Sequence, residues 1–121
     1  MESNTNLTFE DVLTMIPLMQ IEPMFNKVII TLNKEEQDNN LVLSDNVMSE
    51  EQFILAKGSM VKDIEVGQKV LLDLEKMMVK EMNPENSHEY IYRVKLGPIK
   101  FHDYTFAIIE DRLIKAKYKN Q

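Results

Sequence analysis

Large apolar side chains occur along this chain in short blocks separated by polar runs, and the spacing inside the blocks changes at Pro17. Before it, Phe9, Val12, Leu13 and Ile16 recur at intervals of three and four, which aligns them on one face of a helix from about Phe9 to Ile16. Thr8 with Asp11 three positions on has the form of a reciprocal cap for the first free amides, and Pro17 blocks smooth continuation. The stripe either packs on the body of the protein or docks a partner. Residues 1–7 are mostly polar and are expected to lack order.

Beyond Pro17 the pattern becomes extended. Val28-Ile29-Ile30-Thr31-Leu32 is β-branched and nearly all apolar, as a strand covered on both faces should be. Phe53-Ile54-Leu55-Ala56 predicts a second strand ended by Lys57-Gly58. Ile64-Glu65-Val66-Gly67 predicts a turn leading into Val70-Leu71-Leu72. Leu74 to Met82 fits helix or strand, because its methionines adapt to either. Asn83-Pro84-Glu85-Asn86-Ser87 is a turn, and the alternating segments Glu89 to Leu96 and Tyr104 to Ile109 flank the punctuation Gly97-Pro98. Leu113 to Tyr118, after Glu110-Asp111-Arg112, reads as an edge strand whose lysines discourage uncontrolled pairing. Short strands with turns between them and little helix predict an all-β fold, an antiparallel barrel or sandwich.

One block does not sort itself. Leu41-Val42-Leu43 stands between the polar, acidic run Lys34 to Asn40 and a second polar run, Ser44 to Gln52. Spacing alone favours a short buried strand; three aliphatic side chains between segments unlikely to pack also suit an adhesive on a mobile loop.

Composition narrows the function more than the fold. A chain of 121 residues with 44% hydrophobic content suits one domain with one core. Without cysteine there is neither a disulfide framework nor a thiolate metal site, and the chain suits a reducing cytosol. A formal net charge of -6 argues against a nucleic-acid partner; the basic residues from Arg93 to Lys119 alternate with apolar ones, as on a solvated strand face. The start lacks the basic and apolar stretches of a secretory signal, and no apolar run reaches membrane-span length, so no membrane partner is expected.

Catalytic chemistry finds little foothold. His88 and His102 belong to no spaced ligand set, and His102-Asp103 has no nucleophile to serve. No Gly-rich phosphate loop occurs, and Glu35, Glu36 and Asp38, or Glu50 and Glu51, read as solvated charge runs. The expectation is a non-enzyme without metal or cofactor.

Taken in order, five pieces resemble the GroES-type co-chaperonins, the ring-forming lids of the barrel chaperonins. Ile21-Glu22-Pro23-Met24-Phe25-Asn26-Lys27-Val28-Ile29-Ile30 is similar to the family's opening strand, with a proline five residues before a valine that follows a basic residue. Leu41-Val42-Leu43 falls where the family carries its Ile-Val-Leu-type tripeptide. Phe53 to Gly58 is similar to the strand leading to a glycine, and Ile64 to Val70 to the Val-Gly-Asp-x-Val turn. Phe106 to Ala116 is similar to the closing strand, acidic turn and Ile-Leu-Ala. No single piece is specific; their order over residues 21 to 117 carries the resemblance.

The resemblance implies a GroES-like antiparallel β-barrel over residues 21–121, with a mobile loop at 34–52 and residues 1–20 as an extension carrying a short amphipathic helix. It implies a cytoplasmic lid for a GroEL-type chaperonin, assisting ATP-dependent protein folding and contacting the chaperonin through Leu41, Val42 and Leu43. It also implies a homo-oligomeric, seven-membered ring joined through first and last strands, at Ile21, Pro23, Val28, Leu113, Ile114 and Ala116. Nucleotide hydrolysis would belong to the chaperonin. The chain departs from the family in Asn39-Asn40 where glycines usually precede the tripeptide, and in the short Ser59 to Asp63, which leaves no room for the roof hairpin. The stretch from Leu74 to His102 is longer than its counterpart, and residues 1–20 are extra. These departures fit a divergent member, one working in a host cytoplasm if a virus encodes it. The rival function is a structural ring or virion adaptor that reuses the barrel without assisting folding; a monomeric peptide-binding module is a third.

Overall fold

The computed structural model describes residues 6–34, 48–83, 85–94, 97–101 and 103–119. Thr8 caps helix α1 (Phe9–Met15) as its spacing predicts: its hydroxyl accepts from Asp11 N at 3.2 Å, while the Asp11 carboxylate accepts from Thr8 N at 3.0 Å. The expected apolar stripe divides in two. Val12 and Met15 are buried, whereas Phe9 and Leu13 stay 44% and 48% exposed. Pro17 does not stop the chain at once; residues Ile16–Leu18 tighten into a single 3-10 turn, where a proline near the start is tolerated.

Strand β1 (Lys27–Ile30) lies inside the main sheet, antiparallel to β2 (Glu51–Lys57) on one side and to β7 (Tyr104–Glu110) on the other. Strand β3 (Lys69–Leu72) follows β2, and β8 (Ile114–Lys117) follows β3; β6 (Gly97–Phe101) borders β7. The order is therefore β6-β7-β1-β2-β3-β8. The alternation of β1 explains its apolar run. Val28 and Ile30 enter one cluster with Ile54, Val70, Leu72, Ala107 and Ile109, while Ile29 enters a second with Leu55, Phe106, Val12 and Met15. Residues 1–20, expected as an extension, thus include a helix that shares a core with the sheet, and Leu7, expected to lack order, is buried in that core.

The ambiguous stretch after β3 is helix and then strand. Asp73 caps the single turn α2 (Leu74–Met77), Met77 is buried in the first cluster, and the chain then extends as β4 (Met78–Asn83). Strand β5 (Asn86–Val94) folds back on β4, with Met82 opposite Tyr90 and Met78 opposite Val94, to give a separate two-stranded sheet. Gly97-Pro98, expected as punctuation, begins β6; it sits on a border strand, where a missing N–H can face outward without loss to the ladder. Among the described residues β6 and β8 do not pair with each other, so the fold is all-β and antiparallel with a short N-terminal helix, and the main sheet is open. No helix among the described residues is long and apolar enough to cross a membrane.

Two glycines answer backbone demands. Gly67, at φ +92, turns the chain between Glu65 and Gln68, whose N–H donates to Glu65 O at 3.0 Å. Gly58 lies under residues 24–25, where a Cβ would stand 2.3 Å from the Phe25 carbonyl oxygen.

Candidate functional site

Leu41, Val42 and Leu43 lie outside the described residues, as do Glu35, Glu36, Asp38 and His102. The structure does describe where the chain leaves for this segment and where it returns. Lys34 and Met48 form an antiparallel bridge, and Ser49 N donates to Asn33 O at 3.0 Å, so the two ends of residues 35–47 are held side by side. Beneath the bridge lies a clamp built around Gln52. Its Oε1 accepts from the Thr31 hydroxyl at 2.7 Å and Asn33 N at 2.8 Å, and its Nε2 donates to Asn33 O at 2.9 Å and Ser49 O at 2.8 Å. Thr31 Oγ1 also accepts from Phe53 N at 3.0 Å.

Gln52 and Thr31 are the buried polar residues of the described chain, and no buried side-chain nitrogen or oxygen there lacks a partner. Full satisfaction is what makes such a cluster rigid rather than costly. The N-terminal segment stitches its outer side. Leu7 N donates to Asn33 Oδ1 at 2.9 Å and Asn33 Nδ2 to Leu7 O at 3.0 Å; Lys34 N donates to Asn6 Oδ1 at 2.8 Å and Asn6 Nδ2 to Lys34 O at 2.8 Å. Sequence reasoning passed over Asn6, Thr31, Asn33 and Gln52. The available signal was polarity in apolar company: Thr31 ends the Val28–Ile30 run and Gln52 opens the Phe53–Leu55 run.

The residues expected at a subunit contact fall in three environments. Val28 is fully buried on β1, which is hydrogen-bonded on both sides and so offers no open edge. Pro23 is buried, and Ile21 is 39% exposed in the extended segment ahead of β1. Leu113 and Ile114 are half-buried against the first cluster, and Ala116 is exposed on β8, whose outer edge carries no strand among the described residues.

Strand β8 is tied down at its far end. Tyr118 N donates to Lys69 O and Gln68 Nε2 to Tyr118 O, each at 2.9 Å, and the Lys69 ammonium lies 4.9 Å from the Tyr118 ring centre. The Tyr118 hydroxyl and the Lys69 ammonium beside Glu51 hold its carboxyl below the usual carboxylate range. The same hydrogen bond from the other side, followed by burial, pushes the Tyr118 hydroxyl up. At the other end of the sheet, Arg112 and then Lys27 hold Glu110 below that range.

An apolar groove of about 580 Å3 runs between α1 and the Val66-Gly67 turn, walled by Phe9, Leu13 and Phe53 and ending at Tyr118. Phe9 and Phe53 meet at 6.2 Å between ring centres, so the helix closes one side of it. Among the described residues no group of three or more His, Asp or Glu side chains converges as a metal site would require. No protein-family model matches the chain, and no curated protein does.

Proposed function

We propose that this protein is a co-chaperonin lid of the GroES type, which caps a GroEL-type chaperonin through Leu41, Val42 and Leu43 and assists ATP-dependent folding. The observation that carries the reading is the clamped base: the chain departs at Lys34 and returns at Met48 across one bridge, fixed by Gln52, Asn33 and Asn6. A segment that must find a partner and let go needs an anchorage that does not yield with it. The finer fold, a GroES-like barrel over residues 21–121, belongs to the same proposal and is supported by the burial of both faces of β1.

Ring formation in this reading joins the outer edge of β8 to residues 19–23 of a neighbouring copy. Exposed Ile21 and Ala116 support it, as does Glu22 against the lysines at 115 and 117. Val28 then acts from within, by fixing the strand that carries the contact segment.

Burying three aliphatic side chains contributes on the order of 5–8 kcal/mol. Ordering the segment that bears them offsets about 2–5 kcal/mol. A single copy therefore binds weakly. Several copies on one ring make later contacts intramolecular, and avidity then exceeds single-site affinity by about 100- to 10,000-fold. Weak individual contacts also let a nucleotide-driven change in the chaperonin release every copy together. The protein itself is a non-enzyme without cofactor or metal, acting in the cytoplasm where its chaperonin is.

Limited proteolysis between Glu35 and Gln52, with and without a chaperonin plus nucleotide, tests the reading. Cleavage that the chaperonin suppresses supports the lid. Resistance of the isolated protein, unchanged by chaperonin, supports the structural ring or virion adaptor instead.

A further inference from the structure

Phe25 combines two unfavourable features. It is the first central residue of the turn that Lys27 N closes on Met24 O at 3.0 Å, and it stands at φ +58, a left-handed conformation that suits glycine, asparagine or aspartate and strains a bulky side chain. Its side chain is also 60% exposed, alongside Met24 at 63% and Met60 at 59%. The backbone around it is fixed. Met60 N donates to Phe25 O and Asp111 N to Asn26 O, each at 2.9 Å, and Gly58 lies under residues 24–25 with no room for a Cβ. Strain held in this way by its surroundings gathers at functional sites.

A cleft of about 350 Å3 runs beside β8, with Val61, Ile64 and Ile114 in its apolar lining and Lys62, Lys115 and Lys117 as its cations; Phe25 does not line it in its own chain. A cavity of about 150 Å3 holds a benzene molecule, so an aromatic side chain fits. Two of the lysines are occupied. Lys115 pairs with Glu50 at 3.8 Å, and Lys117 Nζ donates to Asp63 O at 2.5 Å. Lys62 has neither ion pair nor hydrogen bond among the described residues, and the same holds for Glu22.

We propose that this cleft receives Phe25 of a second copy of the chain, its phenyl group lying along the lysine stems and over the Lys62 ammonium. Continuity and charge select this occupant. The ring assembly proposed above, which this inference deepens and on which its choice of occupant rests, already lays residues 19–23 of a neighbour along β8, and Phe25 stands two residues beyond them on the same segment. That segment also brings Glu22, unpaired among the described residues, towards the cleft lysine that is likewise unpaired. Phe25 is then the anchor of the contact, and Met24 and Met60, unbranched and adaptable, close around it.

The sequence has no cysteine, so introduced ones report the contact directly. Full-length chains bearing Met24→Cys are co-expressed with chains bearing Asp63→Cys, a position that lines the cleft, and mildly oxidised. A covalent pair with one chain of each kind is expected, and none is expected when Glu10→Cys on helix α1 takes the place of Asp63→Cys. Adding Phe25→Asn to the Met24→Cys chain removes the phenyl group while keeping the turn, because asparagine accepts the left-handed conformation, and is expected to lower the yield about tenfold or more. Circular dichroism establishes that each variant is folded. The proposal is overturned by a yield with Asp63→Cys no higher than with Glu10→Cys, or by a yield that survives a folded Phe25→Asn. Native mass measurement of the wild type separates it from the ring reading. A ring mass without the crosslink removes the Phe25 contact alone, and the crosslink in an assembly of only two chains removes the ring alone.

Discussion

Truncating Gln52 to alanine removes four hydrogen bonds at once from the clamp under residues 35–47: those to Thr31 Oγ1, Asn33 N, Asn33 O and Ser49 O, all between 2.7 and 2.9 Å. At about 0.5–1.5 kcal/mol net for each bond, the gross loss is ~2–6 kcal/mol. Alanine has no rotamer freedom to lose on folding, whereas ordering the glutamine costs up to about 2 kcal/mol, and the variant is spared that cost. Asn33 and Ser49 are half-buried, so water reaches part of the vacated site, while Thr31 is fully buried and keeps a lost partner. The expected net destabilisation is about 2–4 kcal/mol. Urea unfolding at one fixed protein concentration measures it, with amide exchange at Asn33 and Phe53 as the local readout. Gln52→Glu separates geometry from charge, because it keeps the acceptor but turns the donor end into an oxygen facing two carbonyls. A loss below about 0.5 kcal/mol in Gln52→Ala, with exchange unchanged, would refute the reasoning that the clamp holds the base.

Gly58→Ala drives a Cβ against backbone atoms, 2.3 Å from Phe25 O and 2.8 Å from the Met24 carbonyl carbon, and nothing there can swing aside. The expected loss exceeds about 2 kcal/mol, and a thermal midpoint within about 2 °C of wild type would contradict it. Thr8→Ala removes the hydroxyl half of the capping box, leaving the Asp11 carboxylate on the backbone N–H of residue 8, and is expected to lose about 1 kcal/mol in denaturant unfolding. The Glu51–Tyr118 hydrogen bond predicts loss of stability at both ends of the pH scale. Glu51 is lowered from 4.5, so its contribution is present above that pH and lost as pH falls through the folded value; Tyr118 is raised from 10.0, so its contribution is present below that pH and lost as pH rises further. Tyr118→Phe should flatten both limbs of a plot of thermal midpoint against pH, and two unchanged limbs would dismiss the bond as a stabilising element.

What the sequence made legible was local. The Thr8–Asp11 cap, the Gly67 turn and the β-branched run at Val28 each follow from contacts within a few residues or from the period of one strand. Leu74 to Met82 resisted because both answers were right in succession, a capped turn ending at a buried methionine and then a strand. The clamp was out of reach for a different reason. Asn6 meets Lys34 and Thr31 meets Gln52 across separations that no periodicity encodes, so the polar residues that hold the base looked like ordinary loop polarity. Strand order was likewise unreadable: that the first strand would be interior, with Val28 sealed between β2 and β7, depends on pairing rather than on pattern.

The central claim is that Val42 and its two neighbours capture a chaperonin while the body of the protein stays assembled. Co-sedimentation of Val42→Asp with a GroEL-type chaperonin and nucleotide, alongside native mass measurement of the variant alone, tests it most directly. The account predicts that the variant keeps the wild-type assembly mass and no longer sediments with the chaperonin. Undiminished capture by Val42→Asp would contradict it.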